Sequence, residues 1–340
     1  MTNLGLILIM TNWLTLNKEE QTNLFIQVSL QTGLPPFAIE KDAWVTLALR
    51  MLFGSKLNPH IVFKGGTSLS KCYGLIKRFS EDIDFSIDRE YLGFTGNLTK
   101  GEIRKLRRAS HDFTKDELPK ILSKSLTDYG IDAKHYKIEV PNVEISDQDP
   151  EILLINYDSV FDEETYLTSR VQIEIGARSL IEPFQVIEIN SLIDSIYHSE
   201  KFTEQSFKVN AVVPAKTFIE KVILLHEEFK KPVNKIKYEK MSRHLYDIAQ
   251  IIDTDYFDEA MNNVKLFKNI CKHRAKFTPV KPVGTIDYGK LTFGKLKIIP
   301  PNNVFDLYRD DYKEMRESMI YGDSPDFDTL ITKLKTITKR

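Results

Sequence analysis

The chain has 340 residues, 42% hydrophobic and 28% charged, with a formal net charge of −1. These values exclude a disordered chain, and no stretch reaches the ~20 apolar residues that a membrane helix needs, so no membrane partner is expected. Two cysteines, Cys72 and Cys271, are too few for a disulfide framework or a cysteine metal cluster, which points to a reducing, cytoplasmic setting.

The length suits two domains. Residues 4–10 are apolar but lack a basic leader and a small-residue cleavage site, and Met10 is a candidate initiator. Helical periodicity predicts helices over 17–30 and 38–53, the second with Trp44, Leu47, Ala48 and Met51 on one stripe. Asn58-Pro59 breaks the pattern, and Ile61-Val62-Phe63 reads as a short buried strand running into Gly65-Gly66. A short helix is expected over 68–75. Ile83, Phe85 and Ile87 alternate with Asp82, Asp84 and Ser86, the period of a strand with one buried face. Residues 101–129 read as a highly charged helix, followed by β-like runs at 136–140, 152–157, 169–175, 184–189 and 207–213. Beyond Pro214 the predicted elements are helices, over 215–229, 239–252, 255–274, 304–320 and 326–338, interrupted at 278–301 by a Gly- and Pro-rich stretch with room for a small hairpin. The expected class is α+β, with a mixed-sheet core domain flanked by helices over 10–213 and a mainly helical domain over 214–340.

Charge is unevenly spread. Residues 130–205 hold 5 Lys/Arg against 16 Asp/Glu, whereas 214–281 hold 14 against 9. Lys230, Lys231, Lys235, Lys237, Lys240 and Arg243 lie close together in the latter, and Lys100, Arg104, Lys105, Arg107 and Arg108 form a second basic run. Such runs are read either as solvated faces or as a local track for a polyanion.

Asp-x-Asp spacing occurs at 82/84, 147/149, 253/255 and 326/328. Asp147 and Asp149 stand beside Pro150 in an acidic loop, Asp253 and Asp255 at a helix end, and Asp326 and Asp328 in an N-cap region. Only Asp82 and Asp84 are interleaved with apolar residues on both sides. Residues two apart on a strand face the same way, so the two carboxylates project together and their ionised forms need a cation. A hard Mg²⁺ ion, shared with substrate phosphates, is the natural one. The only Gly-Gly in the chain precedes the pair, where Lys64-Gly65-Gly66-Thr67-Ser68 joins a strand to a helix start. Glycines permit close backbone approach, and exposed N–H groups at a helix start bind phosphate.

The segment 63–87, FKGGTSLSKCYGLIKRFSEDIDFSI, resembles the signature of the AbiEii/AbiGii-type toxin nucleotidyltransferases of the polymerase-β-like superfamily. Upstream Ile39-Glu40-Lys41-Asp42-Ala43-Trp44, and downstream Pro214-Ala215-Lys216-Thr217-Phe218-Ile219-Glu220-Lys221 and Ser242-Arg243-His244-Leu245-Tyr246-Asp247, are similar to further helices of that family. The resemblance touches 39–90 and 212–250.

It implies a nucleotidyltransferase fold and a third carboxylate on a neighbouring strand. Glu174, in the alternating run Arg170-Val171-Gln172-Ile173-Glu174-Ile175, and Glu188, in Val186-Ile187-Glu188-Ile189, both have the local pattern; Glu174 is preferred. Asp82, Asp84 and Glu174 are then the expected ligands of two Mg²⁺ ions and catalytic residues. Gly65, Gly66, Thr67, Ser68, Lys221 and Arg243 are the expected nucleotide-binding residues, with Lys221 a point charge for phosphate. Asp247 is expected to orient Lys221 or to assist an acceptor hydroxyl. Ser80 matches a serine that can be self-modified in relatives, but a strand-start hydroxyl bonding local backbone is the preferred reading. His226 and His244 read as structural or surface residues. The implied activity is transfer of an NMP from an NTP to an acceptor, expected to be RNA such as a tRNA 3′ end, by a toxin with a cognate antitoxin. The competing expectations are a protein AMPylating or UMPylating enzyme and a catalytically silent nucleotide-binding regulator.

Overall fold

The computed structural model describes residues 12–80, 82–141, 150–161, 168–278 and 286–339. Met10 and the pair Asp147 and Asp149 lie outside them. The strands are β1 (Ile61–Lys64), β2 (Asp82–Ile87), β3 (Tyr136–Glu139), β4 (Glu151–Tyr157), β5 (Arg170–Gly176), β6 (Phe184–Ile189) and β7 (Phe207–Val212). Helices α1 (Lys18–Thr32), α2 (Pro36–Phe53), α3 (Gly65–Lys71), α4 (Lys100–Asp112), α5 (Leu118–Asp128) and α6 (Leu192–Ile196) are interspersed with them. After β7 come α7 (Pro214–Glu228), α8 (Ser242–Ile252), α9 (Asp255–Asn262), α10 (Val264–Phe277), α11 (Asn302–Ser318) and α12 (Phe327–Leu334). The class is α+β, as expected.

Local chemistry sets the helix ends. Asn17 and Glu20 form a reciprocal capping box at the start of α1, and Gly33 closes it in the left-handed region at φ 73°. Pro36 and Pro214 occupy the first positions of α2 and α7, where a missing N–H costs nothing. The predicted helix over 101–129 is α4 and α5 joined by one π-turn, Phe113–Glu117. The predicted helix over 255–274 is broken in two: the Asn263 side chain accepts from Leu266 N and starts α10 afresh. Residues 286–301 of the expected hairpin hold two 3-10 turns, Tyr288–Lys290 and Phe293–Lys295, and no strand.

The strands make one mixed sheet in the order β3-β4-β5-β2-β1-β7-β6. β2 pairs parallel with β5 and β1 with β7, while β3, β4 and β5 run antiparallel in succession. The register of β2 on β5 sets Asp82 against Gln172, Ile83 against Ile173, Asp84 against Glu174 and Phe85 against Ile175. Ile83, Phe85, Ile173 and Ile175 are fully buried, and α2 packs on both strands. Trp44 of α2 stacks on Tyr157 at 4.9 Å, and Trp13 meets Trp44 edge-on at 5.2 Å. Opposite the core face, Asp82, Asp84 and Glu174 are half-buried.

The chain falls into two compact units. The first takes the chain up to Phe63, Glu81–Ile181 and Val186–Ala211; the second takes Lys64–Ser80, Glu182–Gln185 and the chain from Val212 on. The glycine segment therefore belongs with the helices of the second unit. There α8 packs against α7, α11 and α12, and its Tyr246 is fully buried with its hydroxyl accepting from Lys77 N at 3.2 Å. Among the described residues no helix is long and apolar enough to cross a membrane.

Because Phe85 fills the core side of the strand that carries the aspartates, Phe85→Ala is expected to cost about 3–5 kcal/mol. Urea unfolding measures this, and Asp84→Asn on the other face should cost nothing in the same experiment.

Candidate active site

Two groups of residues gather the predicted site positions. In the first unit, the parallel register brings Asp84 directly beside Glu174. Gln172 Nε2 donates to Glu174 Oε1 at 3.0 Å and holds that carboxylate in place. Burial, then the charges of Asp84 and Asp82, push the Glu174 carboxyl up to about 7. Glu188 is not part of this group: it lies on the edge strand β6, and Ser206 Oγ donates to it.

These donors suit a divalent cation. All are hard carboxylate oxygens, and a cation there would favour the ionised form of Glu174, whose carboxyl is raised by burial and then by the charges of Asp84 and Asp82. Among the described residues no three His, Cys, Asp or Glu side chains are gathered closely enough to form a metal-holding group by themselves.

In the second unit, a cluster of opposite character surrounds Asp247. Asp247 Oδ1 accepts from Arg78 Nε at 2.7 Å and Oδ2 from Arg78 Nη2 at 2.9 Å, a two-bonded pair in which both partners are buried. Lys221 Nζ lies 2.9 Å from Asp247 Oδ2 and 3.3 Å from His244 Nδ1. Burial alone would raise the Asp247 carboxyl, but the Arg78 and Lys221 charges outweigh it and hold the group well below the usual carboxylate range. Burial lowers Lys221, and Asp247 opposes that shift. Burial, then the charges of Lys221 and Arg243, hold the His244 imidazole well below its ordinary value.

Local structure explains the placement. The segment ahead of β2 is stitched to the end of α11: Phe79 N donates to Met319 O at 2.7 Å and Tyr321 N to Lys77 O at 2.9 Å. Arg78, between them, is thereby aimed at α8. The start of α8 lacks a cap of its own and is held by Asp311 of α11, which accepts from Lys240 N at 2.6 Å and Ser242 N at 2.8 Å. Arg78 escaped sequence reasoning because the carboxylate it pairs with, Asp247, is 169 residues away.

The remaining predicted positions differ in what they offer. Gly65 turns the chain with φ 79° and α3 begins on it, three residues earlier than expected. A Cβ on Gly66 would run into Arg78 Nη2 and come within 2.9 Å of Ser80 Oγ, so glycine there leaves room for the arginine. Thr67 and Ser68 are buried, so their side chains serve the fold; the Thr67 hydroxyl donates to Ser80 Oγ at 2.9 Å. Ser80 thus bonds a side chain rather than local backbone. Arg243 is exposed, and Asp247 pairs with Arg78 and Lys221. His226 is structural: its Nδ1 accepts from Lys297 N at 2.9 Å.

Two expectations follow. A Glu carboxyl normally titrates near 4.5, and one raised to about 7 in the fold adds stability that is fully present below 4.5 and lost as pH rises through 7. Glu174→Gln should therefore match the wild type near pH 4.5 and be more stable by about 1–2 kcal/mol at pH 8; Mg²⁺ added to the wild type at pH 8 should give a similar gain that the variant lacks. Arg78→Met leaves the buried Asp247 half-compensated and should cost about 3–5 kcal/mol in urea unfolding. Combined with Asp247→Asn it should show a coupling energy of about 1–3 kcal/mol.

Among solved structures the chain is similar to MenT4, a nucleotidyltransferase toxin from Mycobacterium tuberculosis H37Rv, at 16% identity and a TM-score of 0.44, covering 95% of this chain and 99% of that one. A comparison with curated proteins returns no match. The family model described as nucleotidyl transferase AbiEii toxin, type IV toxin-antitoxin system, matches residues 48–333. This chain therefore belongs to the AbiEii nucleotidyltransferase toxin family.

Proposed function

We propose that the protein transfers an NMP from an NTP to a hydroxyl of RNA, such as a tRNA 3′ end, in a Mg²⁺-dependent reaction in the cytoplasm. The observation that carries the catalytic reading is Asp84 in register with Glu174 on adjacent parallel strands, with the Glu174 carboxyl raised by burial and then by its acidic neighbours. Asp82, Asp84 and Glu174 would hold two Mg²⁺ ions, which when bound neutralise phosphate charge and lower the pKa of the attacking hydroxyl. The transfer is an in-line displacement at the α-phosphorus: the acceptor hydroxyl gives up its proton to water as its oxygen bonds to phosphorus, the bond to the bridging oxygen breaks, and pyrophosphate leaves with the electron pair.

Lys221, held by Asp247, supplies a fixed positive charge for the triphosphate, and the exposed Arg243 supplies a second. Gly65, Gly66, Thr67 and Ser68 would meet phosphate through backbone N–H groups, since the two hydroxyl side chains are buried. The basic stretch between α7 and α8 supports an RNA acceptor: Lys230, Lys235, Lys237 and Lys240 are all exposed. Lys231 is instead tied to Glu228 at 2.5 Å. A cognate antitoxin counteracts the activity by repression or modification rather than by a tight complex.

Each α-labelled NTP in turn, incubated with total RNA or total protein and Mg²⁺, tests this. Label is expected in the RNA fraction with wild type and is lost with Asp82→Ala. Label in the protein fraction would move the acceptor to a protein hydroxyl, and transfer by Asp82→Ala at the wild-type rate would remove the metal assignment.

A further inference from the structure

The cluster around Lys221 contains one residue that neither the sequence pattern nor the family model assigns. His244 stands on α8, one turn before Asp247, and its Nδ1 lies 3.3 Å from Lys221 Nζ. An ammonium group has three donors and no acceptor, so Nδ1 must present its lone pair to the lysine. The ring is then neutral, with its proton on Nε2. The charged groups around it are Lys221 from α7, Arg78 from the segment ahead of β2 and Arg243 on its own helix, whose positive charge favours that state, and Asp247, whose negative charge opposes it.

We propose that His244 is a positioning residue for Lys221, accepting one Nζ–H while Asp247 accepts a second, so that the third is directed to a phosphate oxygen of the nucleotide. The lysine stem has four rotatable bonds, and one acceptor leaves the ammonium free to swing about it. Two acceptors, 2.9 Å and 3.3 Å away, fix the direction of the remaining proton. A structural histidine predicts something different: a shape to be filled, with no need for an acceptor. This inference rests on the reading that Lys221 binds the triphosphate, and its test separates the two.

Two substitutions distinguish an acceptor from a filler. Leucine at 244 fills the space but accepts nothing, whereas the Oδ1 of asparagine can stand near the Nδ1 position. His244→Leu is expected to lower kcat/KM for the NTP about tenfold. It should also move the alkaline limb of the pH profile about one unit lower, because an ammonium that loses an acceptor gives up its proton more readily. His244→Asn should recover most of both losses. Equal damage by both variants, or a His244→Leu profile like that of the wild type, overturns the proposal.

A readout without turnover accompanies them: ¹⁵N spectra of histidine-labelled protein, with the 244 signal assigned by its loss in His244→Asn. The expected state at pH 7 is the neutral ring with Nδ1 unprotonated, and Lys221→Met should shift that nitrogen. A proton on Nδ1, or no response to Lys221→Met, overturns the contact whatever the activity. If the spectra are as expected but wild type transfers no label from any NTP, the contact stands and the nucleotidyl-transfer reading is the one that falls.

Discussion

The parallel pairing of β2 with β5 is the constraint on which the acidic face of the sheet depends. Its register matches Ile83 with Ile173 and Phe85 with Ile175 on the core side, and therefore Asp84 with Glu174 on the other. A slip by one residue would turn the acids into the core and the apolar residues outward. The four buried side chains, with α2 packed over them, therefore hold the acids in place although they never touch a substrate. Energy spent on hydrophobic burial is converted into a carboxylate spacing that isolated side chains would not adopt. Glu174 records the cost as a carboxyl raised to about 7.

The second unit solves the opposite electrostatic problem. Arg78 and Lys221 pair with the buried carboxylate of Asp247 and hold it below the usual carboxylate range. A buried charge set of this kind is a poor source of stability, because desolvation offsets much of the attraction. It is a good source of geometry. Arg78 fixes Asp247 through two bonds, and Asp247 fixes Lys221.

Much of this was legible in the chain. Alternation picked out β2 and β5 because half-buried strands have a two-residue period, and it separated Asp82 and Asp84 from the other Asp-x-Asp pairs. Alternation alone left Glu174 and Glu188 equivalent; strand order distinguishes them, since β5 neighbours β2 whereas β6 is at the sheet edge. Lys221 and Asp247 came from family resemblance, as a helix with a polar stripe does not announce what its lysine touches. Arg78 and His244 were missed for the same physical reason. Their partners are set by tertiary packing, through the Phe79–Met319 bond and the Asp311 cap on α8, and no local periodicity encodes either. The π-turn in the helix before β3 and the break at Asn263 were likewise invisible to a pattern that a helix with either defect still satisfies.

The central claim is that the acids of β2 and β5 bind the metal that carries the nucleotide. A crystal structure with Mn²⁺ and a non-hydrolysable NTP tests it most directly, since anomalous scattering locates the ion independently of the protein phases. The account predicts anomalous peaks at bonding distance from the carboxylates of Asp82, Asp84 and Glu174, with the triphosphate oxygens completing the shell. Bound nucleotide with its Mn²⁺ held elsewhere, or with those three carboxylates uncoordinated, would contradict it.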